Sequence, residues 1–106
     1  MKVVALVGDL MDRTRLSAQL PDTTFAAEPA SCAGATVVIV DAERHGGAIE
    51  EIRAVAPDTT VIAYGPHVDA EVLAAARADG AALALPRSRF FRDPAAAIRV
   101  ALGGAA

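Results

Sequence analysis

Two aspartates stand just after apolar segments of the kind that form buried strands. Asp9 closely follows the apolar residues 3–7, and Asp41 directly follows residues 37–40. Such runs, rich in β-branched side chains, predict strands that are buried on both faces of a parallel sheet. Parallel strands end at a common edge, and open α/β sheets bind their ligands outside that edge. The sequence therefore predicts that the two carboxylates share one site.

Basic side chains are expected at the same edge, because they follow the last two strands of the predicted sheet. His67 comes after the fourth strand, and Arg87, Ser88 and Arg89 come after the fifth. One interpretation is an anion site, in which the arginines bind a phosphate or a carboxylate ligand. The other, which we favour, is that Arg87 and Arg89 pair with the two aspartates, because paired surface charges are the commoner arrangement.

The hydrophobic pattern predicts the elements that position these residues. Strands are predicted at residues 2–7, 23–27, 36–41, 59–64 and 82–85. Helices are predicted from Asp9 or Asp12 to about residue 20, at 48–56, from Asp69 to Gly80 and from Asp93 to about residue 102. Residues 42–47 and 86–92 are expected to form loops.

Strands that alternate with helices predict a doubly wound parallel α/β sheet with helices on both faces. We expect the flavodoxin-like strand order 2-1-3-4-5, which is common at this size. Residues 28–35 leave room for only one or two helical turns, so the second helix is expected to be short or absent.

Composition limits the class of protein. The chain has 106 residues, enough for one domain with a single core. Its net charge of −3 gives no general attraction for nucleic acid or an anionic membrane, and we expect neither as a direct partner. The only cysteine, Cys32, excludes an internal disulfide and is expected to be a small buried side chain. No apolar segment is long enough for a membrane span or a signal peptide, so a cytoplasmic location is expected.

Motifs for catalysis are missing from the sequence. It contains no serine nucleophile elbow, no phosphate-binding P-loop and no Gly-x-Gly-x-x-Gly after the first strand, where Gly8 is a single glycine. His45 and His67 have no close third ligand, which makes them a weak zinc signal. We therefore expect a protein that is not an enzyme.

Along nearly its full length the chain resembles the receiver domain of bacterial response regulators, the CheY-like family, with the second helix largely deleted. The resemblance implies that Asp41 corresponds to the phosphoacceptor aspartate. It also implies that Asp9 is the retained member of a Mg²⁺-binding acid pair whose other member is replaced by Gly8. The backbone carbonyl of Glu43 corresponds to a third metal ligand.

Other receiver positions are changed in this sequence. Gly65 stands where receivers carry a Thr or Ser that follows the phosphoryl group, and Arg87 stands where they carry a Lys. Ser88 replaces a Pro, whereas Gly80 and Ala81 keep the usual Gly-Ala pair. The resemblance thus implies a degenerate receiver with at most weak Mg²⁺ binding and no working coupling from Asp41 to a change of shape, since an Arg does not substitute freely for a Lys.

Two adjacent aromatic residues precede the last helix. Phe90 and Phe91 are flanked by Arg89 and Arg92. Exposed aromatics beside arginine are enriched at the centres of interfaces, so one ring and Arg92 are candidates for a protein contact. In receivers the face of the fourth helix, fifth strand and fifth helix is the usual partner surface. The alternative is that both rings lie buried under the last helix.

Three functions are compatible with these observations, and the least favoured is a residual phosphoacceptor at Asp41. The first is a non-catalytic, receiver-like regulatory domain that acts through contacts with another protein or with a second copy of itself, as a homodimer. The second is a small-ligand sensor that binds a phosphorylated metabolite or a nucleotide at the edge formed by His67, Arg87 and Arg89.

Overall fold

A computed structural model of the chain describes residues 1–66 and 69–103. Within these residues, five strands form one parallel sheet: β1 (Val3–Leu6), β2 (Thr24–Phe25), β3 (Val37–Asp41), β4 (Thr60–Gly65) and β5 (Leu83–Pro86). Their order is β2-β1-β3-β4-β5, which confirms the flavodoxin-like arrangement predicted from the sequence. The strands β2 and β5 lie at the two edges.

Helices connect the strands. In the described part of the chain they are α1 (Leu10–Gln19), α2 (Ala42–His45), α3 (Ala48–Val55), α4 (Ala70–Ala78), α5 (Arg87–Arg92) and α6 (Pro94–Ala101). The crossover from β2 to β3 contains only a 3₁₀ turn, Pro29–Cys32, as the short segment predicts. None of the helices in residues 1–66 and 69–103 is long and apolar enough to cross a membrane.

The sheet is covered on both faces, as its continuous apolar strands predict. On one face, Leu16 of α1 and Ile98 of α6 pack in the same buried cluster as Ile39 of β3. On the other face, Ile52 of α3 and Val38 of β3 belong to a second buried cluster. Every residue of β3 is buried, because this central strand has a strand on each side and helices above and below. The strand ends are therefore held rigidly in place.

Residues 42–47, expected to form a loop, begin with the helical turn α2 instead. Asp41 is its N-cap, and its Oδ1 accepts a hydrogen bond of 3.1 Å from the backbone N–H of Glu43. Asparagine, aspartate and serine caps of this kind satisfy an N–H that a helix leaves unpaired. Gly46 follows α2, and a side chain there would start 2.5 Å from the carbonyl oxygen of Ala42. The last strand residue is thus also the start of a helix.

Residues 86–92, also expected to form a loop, contain the helix α5. The rings of Phe90 and Phe91 are 0% and 7% exposed and pack against the ring of Tyr64. Burial of two adjacent rings under the sheet compensates for the short length of this helix, because most helical stability in proteins comes from packing. The interpretation that both rings are buried is therefore confirmed, and the expectation of one exposed ring is wrong.

Candidate functional site

The two aspartates predicted from the strand ends lie at one edge of the sheet. β1 and β3 are parallel neighbours, with Leu6 opposite Val40. Asp41 therefore ends β3 beside the turn that carries Asp9 from β1 into α1. A shared contact with Arg44, which lies 4.0 Å from each carboxylate, places both side chains in one site. We call Asp9 and Asp41 the outer pair.

One oxygen of each carboxylate in the outer pair caps a helix. Asp9 is the N-cap of α1, and its Oδ1 accepts a 3.0 Å hydrogen bond from the backbone N–H of Asp12. This hydrogen bond is the main reason that the pKa of the Asp9 carboxyl lies below its ordinary value, and the nearby charges of Arg44 and Arg87 lower it further. Asp41 caps α2 in the same way. The Oδ2 atoms of both residues stay outside the caps.

The remaining oxygens of the outer pair face a single guanidinium group. Arg44 Nη2 lies 4.0 Å from Asp9 Oδ2, and Arg44 Nε lies 4.0 Å from Asp41 Oδ2. These distances are ionic contacts and are too long for hydrogen bonds. Asp41 Oδ2 is buried and has no hydrogen-bond partner in residues 1–66 and 69–103. The Arg44 side chain is 60% exposed, so the guanidinium is open to water although the Asp41 oxygen is not.

A second polar cluster, built around one carboxylate, lies deeper, under the first turn of α1. Asp12 is 2% exposed, and its Oδ2 accepts a 2.8 Å hydrogen bond from the hydroxyl of Tyr64 on β4. Its Oδ1 accepts a hydrogen bond from Nη1 of Arg87 on α5. We call Asp12, Tyr64 and Arg87 the inner triad. Every oxygen of this carboxylate has a partner on a different element, so the triad ties α1, β4 and α5 together.

Aromatic contacts complete the inner triad. The ring of Tyr64 stacks on Phe90 with centroids 5.2 Å apart and meets Phe91 edge to face at 5.1 Å. The Arg87 guanidinium lies 5.5 Å from the Tyr64 centroid, within the range of a cation–π contact. Burial, and then the hydrogen bond to Asp12, raise the pKa of Tyr64, so the phenol keeps its proton and remains a donor.

The partner of Arg87 differs from the sequence-based interpretation. We expected Arg87 and Arg89 to pair with the two strand-end aspartates, but Arg87 pairs with Asp12, a candidate helix cap, and Arg89 makes no ion pair in the described part of the chain. The spacing contains a signal for this role, because Asp12 and Leu16 are four residues apart and lie on the same buried face of α1. Tyr64, the only tyrosine, gave no signal as a polar partner, since it ends an apolar strand.

The candidate anion-binding residues do not converge in the described part of the chain. Arg87 is bound to Asp12, whereas Ser88 is exposed. Arg89 is also exposed and lines a groove beside β5, away from the outer pair. His67 lies outside the described residues. The geometry therefore gives no support to an anion pocket built from these side chains.

His45 lies beside the position where the second acid of a receiver is missing. A Cβ atom at Gly8 would lie 3.5 Å from Nε2 of His45. The imidazole, carried by α2, thus borders the space that a side chain at position 8 would enter. The two basic residues of α2, Arg44 and His45, therefore both face the turn between β1 and α1.

The residues present do not fit the Mg²⁺ site that the resemblance implies. The backbone N–H of Glu43 points back to Asp41, the N-cap of α2. Carbonyl groups of a helical turn point toward its C-terminal end, and this general geometry does not favour the Glu43 carbonyl as a ligand beside Asp41. Arg44 already contacts both carboxylates. Across residues 1–66 and 69–103, no group of three His, Cys, Asp or Glu residues is arranged to hold a metal.

Comparison with known proteins shows similarity in structure rather than in sequence. No family model matches the chain, and no curated protein matches it. NtrX from Brucella abortus, solved in complex with ADP, superposes with a TM-score of 0.82 at 18% identity. The match covers 96% of this chain and 26% of NtrX, so the chain spans about a quarter of that protein.

Two shorter structures match over nearly their whole length. A response regulator from Thermotoga maritima superposes with a TM-score of 0.79 at 15% identity, covering 97% of this chain and 98% of the regulator. A CheY-like protein, tadZ, from Pseudomonas aeruginosa PAO1 superposes with a TM-score of 0.77 at 19% identity, covering 95% and 98%. The chain therefore has the fold of the CheY-like receiver domains of response regulators.

Proposed function

We propose that the chain is a receiver-like signalling domain that acts through protein–protein contacts and has lost the phosphorylation switch. The inner triad is the observation that carries this proposal. Arg87, at the position after β5, donates to Asp12 and not to Asp41. A guanidinium that is engaged by a buried carboxylate and lies in cation–π contact with an aromatic ring is not free to bind a phosphoryl group elsewhere.

Gly65, at the end of β4, also supports the proposal that the phosphorylation switch has been lost. Gly65 has no hydroxyl to donate to a phosphoryl group on Asp41. A Cβ at this position would lie 3.2 Å from Leu73 Cδ2 and 3.2 Å from Val72 Cγ1, which is tighter than ordinary van der Waals contact. A side chain at position 65 would therefore press on the first turn of α4. The hydroxyl donor is absent, and the space beside this Cβ position is narrow.

A groove between β5 and the last two helices is the surface that we assign to partner contacts. It has a volume of about 320 Å³. Its lining residues are Leu83, Leu85, Arg89, Arg92, Asp93, Ala96, Ala97 and Val100. An apolar floor with charged residues at its rim has the composition of a protein interface. Arg92, a candidate from the sequence, lies here, whereas Phe90 and Phe91 stabilise the groove from inside.

The loss of the switch is tested with small phosphodonors. The protein is treated with acetyl phosphate and Mg²⁺ and then weighed by intact mass spectrometry, with Asp41→Asn as the control. In parallel, beryllofluoride is added and amide signals are followed by NMR. We expect no phosphoryl adduct and no movement of signals around Gly65. A stable adduct on Asp41 whose formation shifts the signals of β4 and α5 would contradict the proposal.

The contact surface is tested by charge insertion. We expect a homodimer through the groove, so Val100→Glu should reduce the mass in solution measured by light scattering. Val55→Glu is the matched control, because Val55 is 48% exposed, similar to the 40% of Val100, but lies on α3 over the opposite face of the sheet. A wild-type protein that stays monomeric at every concentration would contradict the homodimer and leave another protein as the partner.

A further inference from the structure

The outer pair has two carboxylate oxygens that no helix cap uses. Asp9 Oδ2 and Asp41 Oδ2 each lie 4.0 Å from a different nitrogen of Arg44. The Asp41 side chain is 2% exposed, and this oxygen has no hydrogen-bond partner among the described residues. A buried anionic oxygen without a partner is costly, and a nearby cation reduces that cost.

A metal ion would find few ligands at the outer pair. Helix geometry does not favour the Glu43 carbonyl as a ligand, position 8 is a glycine, and His45 borders the space beside it. Mg²⁺ needs close to octahedral coordination by oxygen and loses its water reluctantly, so two carboxylates beside a fixed positive charge are a poor site. The charge that the two aspartates require is instead present on the chain.

We propose that Arg44 is the resident cation of the outer pair and that its guanidinium, tethered by α2, replaces a divalent metal. With Arg44 in place, the two negative charges of the outer pair can lie close together without a metal ion. Because Arg44 is 60% exposed and contacts both carboxylates at 4.0 Å, it excludes a divalent ion by charge repulsion and by position, without being needed for folding. This inference is independent of the groove and of any partner protein.

The test compares metal binding with and without the Arg44 charge. Mn²⁺ is titrated into the full chain, and paramagnetic broadening of the Gly8 and Ala42 amide signals is followed by NMR. Arg44 lies 4.0 Å from the two carboxylates that would bind a divalent ion. Removing this screened positive charge corresponds to a gain of about tenfold in affinity. We therefore expect Arg44→Gln to bind Mn²⁺ about tenfold more tightly than the wild type, with broadening centred on these two signals.

Two further variants separate charge from packing. Arg44→Lys keeps the positive charge, so its affinity for Mn²⁺ should stay close to that of the wild type. Arg99→Gln removes an exposed arginine on α6 that makes no ion pair in the described part of the chain, so it should not change the broadening. A gain below about threefold for Arg44→Gln, including no binding by either protein, would overturn the proposal, as would an equal gain for Arg44→Lys.

Discussion

The inner triad and the outer pair each contain one deeply buried carboxylate, and the two differ in their hydrogen bonding. Asp12 and Asp41 are each 2% exposed. Asp12 receives hydrogen bonds on both oxygens, from Tyr64 and Arg87, whereas one oxygen of Asp41 has no hydrogen-bond partner in the described residues. Burial alone therefore does not tell whether a carboxylate stabilises the fold. The number and the rigidity of its partners decide it, because each unpaired buried oxygen keeps its desolvation cost.

The two clusters also differ in the arginine that serves them. Arg87 is 37% exposed and is held by a carboxylate and two aromatic rings, whereas Arg44 is 60% exposed and touches its partners only at ionic distance. A fixed cation contributes to stability, and a loosely held one contributes little. We infer that the inner triad stabilises the fold and that the outer pair contributes little to its stability. Four measurements test that distinction.

The largest effect is expected for Arg87→Ala. The variant leaves the Asp12 carboxylate buried with one donor and removes the contacts of the guanidinium with Tyr64 and Phe91. Breaking a buried pair costs about 3–5 kcal/mol, and the partial exposure of Arg87 puts the expected loss at about 3 kcal/mol. Urea denaturation at pH 7 measures it, with Arg99→Ala as the exposed control. A loss below about 1 kcal/mol would mean that the Arg87–Asp12 pair stabilises the protein no more than an ordinary surface ion pair.

A matched pair of variants compares the two clusters directly. Asp12→Asn removes the charge that Arg87 and Tyr64 solvate, and we expect it to cost about 2 kcal/mol of unfolding free energy. Asp41→Asn keeps a cap acceptor for Glu43 and removes a buried charge that lacks a full set of partners, so its effect should stay within about 0.5 kcal/mol. Both are measured by urea denaturation. Equal losses would remove the distinction between the clusters.

Tyr64→Phe tests the neutral donor of the inner triad. The ring and its packing on Phe90 and Phe91 are kept, but one oxygen of Asp12 loses its hydrogen bond. A hydrogen bond to a charged group contributes about 1.5–3 kcal/mol, and we expect a loss near the lower value because Arg87 still neutralises the carboxylate. Thermal unfolding monitored by circular dichroism measures it. An unchanged midpoint would mean that the hydroxyl does not stabilise the triad.

The smallest effect is expected in the pH dependence of the outer pair. The pKa of Asp9 is lowered in the folded protein, chiefly by the N–H of Asp12. Its contribution to stability is thus complete above the ordinary aspartate pKa of about 3.9 and is lost as the pH falls through the lower folded value. Asp9→Ser keeps a cap acceptor without this ionisation, so its stability should fall less between about pH 5 and pH 2. Identical pH profiles would exclude Asp9 as a contributor.

The local hydrophobic pattern was sufficient to predict the strands of the sheet and the position of the outer pair. The apolar runs before Asp9 and Asp41 form the strands β1 and β3, because a continuous run of β-branched and aliphatic side chains is typical of a strand that is buried on both faces. The helical turn α2 was missed, because the N-cap that starts it is itself a strand residue. α5 was missed for a different reason, since its two phenylalanines gain their stability only against Tyr64 on the sheet.

The parallel sheet and the common edge for two aspartates were therefore determined by the sequence, through hydrophobic runs and the residues that end them, whereas the strand order was expected only because it is common at this size. The choice of which arginine neutralises which carboxylate was decided only by the tertiary structure. Arg87 and Asp12 are 75 residues apart in the chain, and they meet because α1 and α5 pack over the same face of β4. Local spacing indicates only that Asp12 shares the buried face of α1 with Leu16. It does not indicate Arg87 as the partner, because the charges of Asp9, Asp12 and Asp41 are equivalent until packing brings one of them within reach.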